Sequence, residues 1–141
     1  MACKHFPSCG GCTSQDIPYD EQLRVKQNLI ETLFPSSPVS PIIPCANHWH
    51  YRNKMEFSFS QNKAGDRFFG LILKKSRGKV FNLEECHIAP PEFATILGRV
   101  RSWWEKTTLR AFNFRSGEGT LRTFTLSQGK SKICTCRAKY R

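Results

Sequence analysis

The period at which apolar residues recur changes along the chain, and each change predicts an element. Tyr19, Leu23, Lys26, Ile30, Leu33 and Phe34 fall on one helical face, with Asp20 and Glu21 in the first turn, where the macrodipole favours acids. Pro35 ends that helix, and the Pro-rich stretch after it reads as an extended connector. Over 51–60 the residues alternate, Tyr51, Asn53, Met55, Phe57 and Phe59 on one side and Arg52, Lys54, Glu56 and Ser58 on the other, which predicts a half-buried strand. Turns at 62–66 and 76–79 lead to apolar runs at 68–73 and 80–83, predicting an antiparallel meander. Phe93, Ile96, Leu97, Val100 and Trp104 then recur at helical spacing behind Pro90 and Pro91, and 111–115 with 121–126 read as a closing hairpin around SGEGT. The sum is an α+β fold with a mainly antiparallel sheet and two amphipathic helices. Residues 1–18 show neither period and carry Gly and Pro breakers among three Cys, so they predict a Cys-rich N-terminal loop organised by a ligand.

Composition narrows this picture. A chain of 141 residues with 39% hydrophobic residues is the size of one packed domain. Its apolar runs are too short for a membrane span, and its N-terminus lacks a secretory pattern, so the expected location is the cytoplasm. Seven Cys in that reducing setting point to metal binding or catalysis before disulfides. The net charge of +11 is uneven: residues 46–81 carry +6 and residues 106–141 carry +8, while 1–45 and 82–105 are slightly acidic. Two separated basic segments suit a polyanion such as nucleic acid.

Cys3, Cys9 and Cys12 cluster, and Cys86 follows far downstream in EECHIAP. Structural zinc usually takes two close Cys pairs, whereas three clustered Cys with one remote Cys is a common iron-sulfur arrangement. A zinc alternative pairs Cys9 and Cys12 with Cys134 and Cys136 as two knuckles of a free-standing RNA-binding module. Neither Cys134 nor Cys136 has the base a nucleophilic thiol needs, and Cys45 reads as a structural thiol. His48 and His50, flanking Trp49, suit a surface or phosphate contact better than a metal. Of Trp103 and Trp104, one lies on the apolar helix face and belongs to the core.

CKHFPSCGGCTSQDIPYDEQLRVKQ, then HYRNKMEFSF, then FGLILKKSRGKVFNLEECHIAPPE, in that order, resemble the RNA (uracil-5-)-methyltransferase family, the S-adenosylmethionine enzymes that make 5-methyluridine in ribosomal and transfer RNA. The resemblance implies the family's central domain, with Cys3, Cys9, Cys12 and Cys86 as ligands of a structural 4Fe-4S cluster. It implies that Arg52 and Lys54, within YRNK at 51–54, contact RNA, ribosomal RNA being the preferred partner. The family continues into a Rossmann-like domain that holds S-adenosylmethionine, a Cys that attacks C6 of the uracil and an acid that removes the C5 proton. No Gly-rich turn between strand and helix appears here, so that domain is expected to be absent, with no catalytic residue in this chain and no activity of the chain alone.

The expected division is therefore 1–126 as the iron-sulfur, RNA-recognition domain and 127–141 as a basic tail outside the packed fold. Lys130, Lys132, Arg137, Lys139 and Arg141, without one acid and with little apolar content, argue against a further buried strand. The expectation that follows is a reading-frame shift near codons 126–133, with the catalytic domain encoded downstream. Oligomeric state is left open by the sequence.

Overall fold

The computed structural model describes residues 3–129 and, for the backbone alone, Cys134–Tyr140. The elements run α1 (Tyr19–Leu33), β1 (Lys54–Gln61), β2 (Arg67–Gly70), α2 (Pro91–Glu105), β3 (Leu121–Gln128) and β4 (Cys134–Tyr140). The four strands form one antiparallel sheet in the order β2-β1-β3-β4. The fold is α+β, as the alternation and helical periods predict.

Both helices begin behind a proline and carry acids in the first turn, Asp20 and Glu21 in α1 and Glu92 in α2. Helix α2 covers one face of the sheet. Its Phe93, Leu97 and Trp104 join Met55, Phe57, Phe59, Phe69, Phe124 and Leu126 in a single core. Phe59 stacks on Phe69 with centroids 4.3 Å apart and meets Trp104 edge-on at 5.1 Å. Trp104 is fully buried and donates from Nε1 to Leu109 O at 2.9 Å, while Trp103 is half exposed.

Helix α1 forms where expected but buries none of its residues. Val25, Leu29, Ile30 and Leu33 stay exposed, and no α1 residue joins the core. Among the described residues no helix is long and apolar enough to cross a membrane.

Three expectations are corrected. First, 80–83 is not a strand; Val80 forms an isolated bridge with Ile72, although Phe81 N–H donates to Leu71 O at 3.1 Å and Leu83 N–H to Phe69 O at 3.3 Å. Second, 111–115 does not form a hairpin with β3: Ala111 makes one parallel bridge to Leu121, while β3 pairs with β1 and β4. Third, the segment expected as a tail enters the sheet. Leu126 to Gln128 lie within β3, and Cys134–Tyr140 pairs along it, with Cys136 opposite Leu126 and Thr135 opposite Ser127. An edge strand needs backbone partners on one side only, and basic side chains there discourage pairing with other chains, so the absence of an apolar pattern does not forbid it. Lys130, Lys132 and Arg141 lie outside the described residues.

Candidate metal centre and nucleic-acid face

The N-terminal loop carries its own staples. Cys9 bridges to Leu73, Gly10 N–H donates to Ile72 O at 3.2 Å, and Lys74 N–H donates to Ser8 O at 2.8 Å. A Cβ on Gly10 would stand 2.9 Å from Ile72 O, so the close approach requires glycine there. On the other side, Lys4 N–H donates to Glu85 Oε1, Lys4 Nζ pairs with Glu84, and Glu84 N–H donates to His5 Nε2 at 3.1 Å. These bonds bring residues 3–12 against the chain that leads into Cys86.

Cys3, Cys9, Cys12 and Cys86 consequently line one small cavity of about 10 Å³, with Leu71, Leu83 and Ile88 as its apolar walls. Cys9 is buried; Cys3, Cys12 and Cys86 are half-buried. Burial pushes the Cys3, Cys12 and Cys86 thiols up, neighbouring thiols add to this at each of the three, and the nearby Arg52 charge opposes it at Cys12 and Cys86. Soft thiols gathered in an apolar setting are a donor set suited to an iron-sulfur cluster. Among the described residues no three His, Cys, Asp or Glu side chains stand in the geometry of a single metal ion.

YRNK does not sit wholly on the strand. Residues 50–52 precede β1 and pair with the chain after Cys86: His50 N–H donates to His87 O at 2.9 Å and Arg52 N–H to Ile88 O at 2.8 Å. Arg52 is half-buried beside the thiols, whereas Lys54 opens β1 at an exposed position opposite Ser127. The two are thus separated in environment, and Tyr51, expected inward, is 56% exposed. His50 adopts φ 55° and its Nδ1 is 2.7 Å from Ala89 O, a structural role; His48 instead stacks on Tyr19. Cys45 is exposed and its N–H donates to Tyr19 Oη at 2.8 Å. Cys134 and Cys136 lie on β4, and their side chains lie outside the described residues.

The fold and site define an α+β domain in which a Cys-rich loop is tied to the chain at 72–74 and 84–85, beside an antiparallel sheet. Over 132 residues the chain is 42% identical to an uncharacterized RNA methyltransferase of Protochlamydia amoebophila and 37% identical to one of Chlamydia muridarum, covering 90% of this chain and 30% and 33% of theirs. The chain spans about a third of the length of these relatives. The fold is similar to part of the Pyrococcus abyssi tRNA (uracil-54, C5)-methyltransferase in complex with S-adenosyl-L-homocysteine, with a TM-score of 0.76 at 20% identity, over 99% of this chain and 33% of that one. No protein-family profile matches the chain.

Proposed function

We propose that this chain is the 4Fe-4S-binding, RNA-holding domain of an S-adenosylmethionine-dependent RNA uracil-5-methyltransferase acting on ribosomal RNA in the cytoplasm. The observation that carries the reading is the convergence of Cys3, Cys9, Cys12 and Cys86 on one cavity. Four thiolates saturate a cluster and leave no open iron for substrate, so its role here is to lock the N-terminal loop to the chain around Cys86. The cavity between the thiols is water-sized. RNA contact is supported by the basic segments, by exposed Lys54 and by the names of the relatives. The resemblance assigns methyl transfer, and the binding of S-adenosylmethionine that it needs, to the family's Rossmann-like domain, outside the match to these 141 residues. The 141 residues alone hold RNA without transferring methyl groups.

Anaerobic purification followed by iron and acid-labile sulfide analysis tests this. About four of each per chain, with a brown colour, is the expected result. One zinc without sulfide in a folded protein overturns it in favour of a zinc-binding RNA module.

A further inference from the structure

Next to the thiol cavity lies a far larger open hollow of about 760 Å³, within the size range of ligand pockets. Its walls are the Cys-rich loop, the start of α1 and the segment that leads into β1. Four aromatic residues, Tyr19, His48, Trp49 and Tyr51, line it. Tyr19 and His48 stack at 4.4 Å with planes 9° apart, and Trp49 meets His48 at 5.3 Å and 45°. None of these rings belongs to the hydrophobic core; His48 is exposed and Tyr51 is more than half exposed. Packing therefore does not account for the group.

Two cations, Lys26 and Arg52, line the same hollow, against one acid, Asp16. Flat rings beside positive charge match the two parts of a nucleotide: a base with a π-face and a phosphate. Bases in a duplex have their faces covered by their neighbours, so a hollow of this kind admits only an unstacked base. Gly11, Cys12 and Ile88 wall both this hollow and the thiol cavity, which makes its shape depend on the order of the thiol loop.

We propose that this hollow binds an unpaired nucleotide of RNA, its base stacked on the exposed rings of His48 and Tyr51 and its phosphate facing Lys26 and Arg52. The inference rests on the RNA-holding reading above and adds to it a single-stranded site. The site lies on the side of the Cys-rich loop and adds base stacking to the phosphate contact expected of Lys54.

The test uses the whole 141-residue chain and a single-stranded oligouridine with 2-aminopurine at one position, with an abasic version and a duplex as comparisons. Binding should quench the 2-aminopurine and favour the single strand over the duplex. Tyr51→Ala and His48→Ala, both at exposed positions, should each weaken single-strand binding about tenfold without changing its salt dependence. On the abasic strand the same variants should have little effect. RNA binding that is unchanged in both variants yet weakened by Lys54→Glu overturns the pocket and leaves the RNA reading standing. Absence of RNA binding at every salt concentration overturns the RNA reading, and the pocket with it. Binding of an acidic peptide in the hollow, with RNA unable to compete, overturns the pocket alone.

Discussion

Asn82 Oδ1 accepts the N–H of Phe69 at 2.8 Å, so a side chain satisfies a backbone donor at the point where 80–83 runs beside β2. The chain crosses there at very close range: a Cβ on Gly70 would lie 2.3 Å from Phe81 O and 2.7 Å from Leu83 N. Backbone atoms on both sides cannot yield as a flexible side chain would. Gly70→Ala should destabilise the fold by about 3 kcal/mol, read as a lowered denaturant midpoint. Gly98, inside α2 with nothing within 4 Å, makes the contrast. There Ala should stabilise by about 0.5–1 kcal/mol, and an unchanged or lower midpoint would contradict the helix assignment.

Trp104→Phe removes both core volume and the donor to Leu109 O. The carbonyl is left without this partner in a partly buried setting, so a loss of about 2 kcal/mol is expected in urea unfolding. Trp103→Phe, at a half-exposed position, should change stability by less than about 0.5 kcal/mol.

Leu29 and Leu33 are each more than half exposed on α1. Leu29→Gln should leave the stability of this chain within about 0.5 kcal/mol, measured by thermal melting. A large loss would mean that α1 is packed in solution against something other than the core described above.

Cys86→Ser and Cys45→Ser separate a ligand thiol from a bystander. Cys86 shares the cavity with the three loop thiols, whereas Cys45 is exposed and away from it. The first variant should lose the iron-sulfur absorbance and speed amide exchange over residues 3–12; the second should keep both. Equal colour in the two proteins would remove Cys86 from the ligand set.

Lys54 is exposed at the start of β1, so Lys54→Glu should weaken RNA binding across sequences and lower the salt slope by about one phosphate contact or more. Arg52 is half-buried beside Cys12 and Cys86, and Arg52→Gln should in addition change how the thiols load with iron. Iron content alongside an RNA titration distinguishes the two.

Helix α1 from Tyr19, helix α2 behind Pro90, the inward Met55, Phe57 and Phe59, and the buried Trp104 were all determined by the sequence alone. Helical period, proline starts and strand alternation are local properties, set within a few residues. The four cysteines could be picked out as a set by type and spacing, although only folding gathers them on one cavity. Tertiary structure decided what depends on distant backbone: that Phe69 N–H is taken by the Asn82 side chain where 80–83 runs beside β2, that Cys134–Tyr140 takes a sheet edge where backbone bonds suffice, and that β3 pairs with β1 rather than with 111–115. It also decided that α1 keeps its apolar face outside the core and that Tyr19 meets His48, since whether a side chain is buried depends on which distant elements pack against it, and the local pattern carries no record of that.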